Sequence, residues 1–409
     1  MYCHAGALAQ DLSHARDSMA RTASKFAPRF VLLLQMWHAC AQGAAPTTVV
    51  QPGSGTLQAA LNVANAGDIL VLQDGRYKGS GDNVLAVSKN ITIRAQNLGM
   101  AILDGEDTRR VIQIMSGSVV LKGLVITRGR TGNGRGGGLR INGGIVDMID
   151  CEMHTNTASN RGGAMRITGG IVTLVRCLIH SNTVSKRTGP RGGGVFINSG
   201  AIVHFHSCII RNNRALSTGG GVFISGAITY VDFNNCSIHD NTVLGGEKGY
   251  TGDGLGGGVS ITGGRVHFST TSIYNNRAAS NTGGGLAIGA GNVTLASCQV
   301  HHNEAAKGGG AVIISRGMLS ILQSQVHHNK AKNAGALMIS SPEGETVVDG
   351  KKYGRTRVEL HSSTFDSNES EDATEIEVIA PALACSAQMA SNPSSKGAFV
   401  PCVALLPHQ

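Results

Sequence analysis

Three sets of side chains in this chain have the types and spacing to do chemistry. The first is a series of histidines. His154, His180, His239, His301 and His327 each follow the apolar residue of a tetrapeptide of the form apolar-x-x-Asn, and Arg211 and Tyr274 fill the gaps between them. His302 and His328 adjoin the last two. On adjacent turns of a repeating structure, His301, His302, His327 and His328 make a two-by-two patch suited to a divalent metal or to a charge change at about pH 6. The competing reading is a consensus copied by duplication onto a solvated face, because no carboxylate recurs beside the patch to orient the rings.

The second set is basic. Arg135, Arg161 and Arg191 precede glycine clusters on successive repeats, and Lys307 and Lys332 precede later ones. Lys186, Arg187, Arg214, Lys248, Arg277 and Lys330 fall in the same inter-repeat segments. One cation per repeat, stacked at strand spacing, becomes a line of charge suited to a linear polyanion such as an acidic polysaccharide. The alternative is a solvated rim that keeps like edges apart. Nucleic acid is disfavoured as partner, since aromatics are only 4% of the chain and stacking platforms are missing. The third set, Asp240, Glu247 and Asp253 with His239, surrounds the longest inter-repeat segment, Thr242 to Leu255. Carboxylates beside a histidine suit acid–base work, although loop carboxylates are more often merely solvated.

What would position these groups is a repeat. Glycine clusters open at Gly136, Gly162, Gly192, Gly219, Gly256, Gly283 and Gly308, and more weakly at Gly335, with spacings of 26, 30, 27, 37, 27, 25 and 27 residues. Each is followed by a closing asparagine: Asn156, Asn182, Asn213, Asn241, Asn276, Asn303, Asn329 and Asn368. Such a period means stacked supersecondary units. Within Gly136–Asn156, Leu139/Ile141, Val146/Met148 and Cys151/Met153 alternate with other residues, which reads as three short strands and three corners. The 3.6-residue spacing of an amphipathic helix is absent. The expected fold is therefore all-β, a single-stranded right-handed parallel β-helix of about ten coils, because parallel crossovers are nearly always right-handed.

In that fold the asparagines tolerate left-handed corners and bond up a ladder, and Cys151, Cys177, Cys208, Cys236 and Cys298 form one inward column with Thr271, Ser324 and Ser363. Stacked Cβ atoms lie farther apart than a disulfide wants, so these thiols are expected to pack as small hydrophobes.

The domain reading follows. Residues 1–41 resemble a targeting segment: Arg16, Arg21, Lys25 and Arg29 precede the apolar run Phe30–Leu34, and Ala39-Cys40-Ala41 supplies a cleavage pattern. This points to a secreted or cell-surface protein. Residues 42–135 hold an N-terminal cap and the first irregular coils. A short helix within Ser54–Gly67 is expected to cover the open edge. Residues 136–370 are the regular array, interrupted by a polar loop at 341–357. Residues 371–409 close the far end, with Cys385 and Cys402 as the one disulfide candidate. Nothing in the sequence specifies an oligomer.

The segments TLQAALNVANAGDILVLQDGRY, NITIRAQN and VIQIMSGSVVLKGLVITRG resemble the opening of pectin-lyase-like β-helix proteins. The array resembles the repeats of chlamydial polymorphic outer-membrane proteins, with GGAM (162–165), GGAV (309–312) and FDSN (365–368) nearest to their signatures. The bacterial proteins also carry a membrane barrel, which this chain is expected to lack. The first resemblance implies uronate polymers as substrates and calcium as the lyase cofactor. However, the clustered aspartates of lyases and the N-T-D, D-D, G-H-G and R-I-K motifs of related hydrolases have no counterpart here. The expectation is thus a non-catalytic polysaccharide-binding or adhesive β-helix without cofactor. The alternative is a lyase, hydrolase or epimerase.

Overall fold

In the computed structural model of the chain the described residues are 45–131, 134–185, 189–245, 255–340, 346–348, 351–353, 356–371 and 376–378. Residues 1–41, Lys186, Arg187, Glu247, Lys248, Asp253, Cys385 and Cys402 lie outside them. Among the described residues the chain is a parallel β-solenoid built of three long sheets of 21, 12 and 9 strands, with one two-stranded antiparallel hairpin of Thr346–Val348 and Lys351–Tyr353.

Most coils of the array have four strands, one more than their alternation suggested, and in two coils the first two strands run together as Val259–Ser269 and Leu286–Ala296. In one coil they are Leu139–Ile141, Ile145–Ile149, Glu152–His154 and Thr157–Ala158. The first two pair with their copies in the 21-stranded sheet, and the third and fourth supply the other two sheets. The fourth is only two residues long, too short to show an alternating pattern. The coils from Ile69 onward stack in the same ladders, so that Ile112 pairs with Leu139, Val119 with Val146 and Ile126 with Met153.

The inward positions of the first strand are apolar on every coil of the array. The column Leu139, Met165, Val195, Val222, Val259, Leu286, Val312 and Leu337 is buried throughout. Phe205, Phe233 and Phe268 stack with centroids 4.7 and 4.8 Å apart, the pitch of one rung. The expected cysteine column is present as buried free thiols, each donating to a backbone carbonyl. The Cys177 thiol lowers the Cys208 pKa, but the Cys236 thiol and burial together outweigh it and push Cys208 up to about 12. Thr271, Ser324 and Ser363 occupy the same column and donate hydroxyl hydrogen bonds to carbonyls in the same way.

The asparagines do form a file. Each Oδ1 from Asn182 to Asn368 accepts from the backbone N–H and the Nδ2 of the asparagine one coil before, at 2.9–3.1 Å. Their Nδ2 groups also donate to carbonyls such as Ile179 and Ile210. The left-handed corner, however, is the residue before each asparagine, as at Thr155, Ser181, Asn212 and Asp240, with φ of 53–55°. The ladder asparagine is thus selected for its amide and not for its backbone.

Glycine is required where coils touch. Gly192 has φ 68°, and a Cβ on Gly193 would stand 2.3 Å from the Gly220 carbonyl oxygen. The register corrects two openings. Leu286 pairs with Val312 and Val312 with Leu337, so the positions equivalent to Gly283 are Gly309 and Ala334 (φ 61° and 49°), not Gly308 and Gly335.

The cap helix, α1, spans Thr56–Val63, shorter than expected, and buries Leu57 and Leu61. Lys89 Nζ donates to the Leu61 and Ala64 carbonyls, placing a cation at its C-terminal end.

Candidate functional site

The arginines define a face on the outside of the first-strand ladder. Arg135, Arg161 and Arg191 bridge one another in parallel on three successive coils, as their spacing implies. The same column continues through Thr218 and Leu255. Lys307 and Lys332 are exposed but outside it, because the corrected openings put Gly308 and Asn333 at its later positions. Their basic character therefore does not extend the arginine line.

A second column lies beside the first. Gln113, Arg140 and Arg166 are consecutive outward partners, followed by Phe196 and Phe223. Arg110 joins it by donating Nε–H to the Gly136 carbonyl and Nη1–H to Asn83 Oδ1 and Gln113 Oε1. Sequence reasoning missed Arg110, Arg140 and Arg166, which sit inside strands and not before glycines. The signal that could have found them is an arginine flanked by apolar residues on two successive repeats, LRI and MRI.

Phe196 and Phe223 point outward yet are only 1% exposed. The guanidinium of Arg161 lies 5.0 Å from the Phe196 centroid and that of Arg191 5.0 Å from the Phe223 centroid. The rings stack on each other at 5.2 Å. Two arginines of the predicted line thus cover an outward aromatic pair as well as carrying charge.

Among the described residues, none of Arg110, Arg135, Arg140, Arg161, Arg166 and Arg191 makes an ion pair. Burial, then the charge of Arg140, holds Arg110 down at about 10. Burial and the charges of Arg135, Arg140, Arg161 and Arg110 do the same to Arg166, also to about 10. Arg161 is lowered by burial, Arg135 and Arg191. The Nε atoms of Arg161 and Arg166 are buried with no hydrogen-bond partner. Such crowding of like charge favours an anion arriving between them. An open groove of about 600 Å³ adjoins the patch, lined by Arg109, Arg110, Arg130, Thr108, Thr131 and Asp82 among others.

Histidines 154, 180, 239, 301 and 327 form the expected outward column, with Arg211 and Tyr274 in their places. The rings stack: His239 on Tyr274 at 4.6 Å, Tyr274 on His301 at 5.0 Å, and His301 on His327 at 5.0 Å. The two-by-two patch does not behave as its composition suggests. His301 Nδ1 lies 2.8 Å from His302 Nδ1, and His327 pairs with His328 in the same way. Burial, with the neighbouring histidines, takes His301 down to about 4, and His327 is also lowered. His301 therefore stays neutral at pH 6. Nor do the four converge on a metal: among the described residues the one group of three or more ligand atoms mutually within 4.8 Å is His204, His206 and Asp232. Of the catalytic candidates, His239 Nδ1 contacts Asp240 Oδ2 at 2.6 Å at the surface, while Glu247 and Asp253 lie outside the described residues.

A family model described as the right-handed β-helix region matches residues 170–352. No curated protein matches the chain. Among solved structures it is similar to pectate lyase Pel9A, at 15% identity over 83% of this chain and 82% of that one, TM-score 0.44. It is also similar to the A-module of mannuronan C-5 epimerase AlgE6 from Azotobacter vinelandii, at 15% identity over 83% and 95%, TM-score 0.49. A third is a mannuronic-acid-specific family 6 polysaccharide lyase from human gut microbiota, at 12% identity over 82% and 83%, TM-score 0.38. The chain is an all-β parallel solenoid, and its central coils match the right-handed β-helix region.

Proposed function

We propose that this is a secreted or cell-surface β-helix protein that binds acidic polysaccharide along the arginine face, without catalysis of its own. The observation that carries the reading is the set of six arginines on neighbouring coils with no acidic partner among the described residues. Rigid strands hold five of these cations in two files at one rung per coil, about 4.8 Å apart, and Arg110 stands beside the second file, hydrogen-bonded to Gln113. A linear polymer with a carboxylate or sulfate on each unit presents charge at regular intervals along the same direction. Such a ligand meets fixed cations whose desolvation and mutual repulsion are already met by the fold, so little side-chain ordering remains to oppose binding.

The test is calorimetric titration of the protein with polygalacturonate, alginate and heparin at low and raised salt. Binding that weakens as salt rises, and falls at least tenfold in an Arg140→Ala, Arg166→Met double variant, is expected. Failure to retain any of the three polymers at low salt ends the reading. An ultraviolet-absorbing unsaturated product, released by wild type and not by Asp240→Asn, would replace it with a lyase activity centred on His239 and Asp240.

A further inference from the structure

Outward residues on the second strand of the coils are mostly aliphatic or hydroxylic early in the array, as with Ile171, Thr173 and Val175. One coil later the equivalent positions are Ile202, His204 and His206, and on the next Tyr230, Asp232 and Asn234. His204 and His206 are two apart on one strand and so share a face. Asp232 is the direct lateral partner of His204.

The ligand atoms of the three side chains lie within 4.8 Å of one another, with His204 Nδ1 4.0 Å from Asp232 Oδ2. The imidazole planes are 7° from parallel, with centroids 6.1 Å apart, and Tyr230 packs its ring 5.8 Å from that of His204. His206 Nε2 is closed off from solvent and has no hydrogen-bond partner. Asp232 is 8% exposed, and among the described residues its one ion-pair partner is His204. A buried imidazole nitrogen without a partner and a buried carboxylate without a full charge beside it are both unfavourable when left so. A single cation between them satisfies both.

We propose that His204, His206 and Asp232 form a binding site for a divalent transition metal, with zinc the best fit. Two imidazole nitrogens and one carboxylate oxygen suit zinc, cobalt or nickel, whereas calcium and magnesium prefer shells of oxygen. Metal–ligand bonds of about 2.0–2.1 Å put tetrahedral ligand atoms about 3.3 Å apart. Side-chain rotation of roughly an ångström closes the group onto the ion. Three protein ligands leave the fourth position, on the solvent side, for water or for an oxygen of a bound molecule. His267 stands beside Asp232 on the following coil, outside the convergent group.

The experiment is calorimetric titration of the metal-free full chain with zinc chloride, and with cobalt chloride followed by visible absorption. One saturable site is expected, with a cobalt spectrum of low coordination number. Affinity should fall at least tenfold in His206→Ala and in Asp232→Asn, and stay unchanged when His301, His302, His327 and His328 are all replaced by alanine. His204→Gln, close in size and polarity, serves as a second variant should His206→Ala unfold. Circular dichroism of each variant verifies the fold. Wild type without a saturable site, or a site that persists at full strength in the Asp232→Asn, His204→Gln pair, overturns the proposal.

Discussion

The basic residues of the early coils and those of the late coils sit on one scaffold but in opposite electrostatic settings. In the late coils the outward column of the fourth strand reads Arg277, Glu304, Lys330, Glu369, each the lateral partner of the next. Arg277 meets Glu304 at 3.5 Å and Lys330 meets Glu369 at 3.0 Å. In the early coils the same column reads Arg130, Thr157, Thr183, Arg214, with no acid. The column of Arg140 and Arg166 likewise turns into Ser260, Ala287, Ile313 and Met338 later on. Stacking amplifies whichever pattern a column carries. An alternating column neutralises itself at the surface and is worth little, whereas a column of one sign builds a field.

The comparison rests on the two ends sharing one continuous core, and the largest expected effect tests that premise. Gly220→Val would put a Cβ 2.3 Å from the Gly257 carbonyl oxygen and 2.8 Å from Thr242 backbone atoms. A loss of about 4 kcal/mol or more in denaturant unfolding is expected, and a variant that unfolds like wild type would deny coil-on-coil contact. Asn213→Leu comes next. It removes the acceptor of the Asn182 N–H and Nδ2 and the donors to Asn241 and Ile179, at about 1–3 kcal/mol for each buried group left unpaired.

Smaller effects separate charge from scaffold. Thr157→Glu writes the late-coil pattern into the early coils beside Arg130. Polyanion affinity should fall severalfold while the melting temperature holds. Arg166→Met should weaken the same binding without lowering stability, because a buried cation crowded by four like charges is replaced by an apolar chain of similar length. Lys330→Ala, in the self-neutralised column, should alter neither by more than experimental error. The pH response is the finest probe. His301 is held at about 4 in the fold against an ordinary 6.5, so protons bind the unfolded chain more readily between those values. Stability is full above pH 6.5 and declines as pH falls towards 4, and His301→Gln should flatten that part of the melting-temperature profile.

Much of the scaffold was legible in the chain. The asparagine file, the cysteine column with its Thr and Ser substitutes, and the histidine column follow from spacing, because each is an inward or outward position repeated on every coil. Less of the candidate sites was legible. Lys307 looked equivalent to Arg191 because both sit near glycines, but the triple glycine at 308–310 allows two registers and the pairing of Leu286 with Val312 selects the other one. Arg166 carries no mark of its own in the sequence that sets it apart; its place in the basic face comes from its lateral neighbours, Arg140 and Phe196.

The sequence alone determined that the chain is a solenoid and which residues turn inward, since burial demands the same apolar or small residue at every turn and so leaves a period in the text. Only the tertiary structure decided which outward residues share a surface. Coils differ in length by several residues, so lateral partners are set by hydrogen-bond register and not by counting along the chain. His204 and His206 come within reach of Asp232, across one such coil, for that reason.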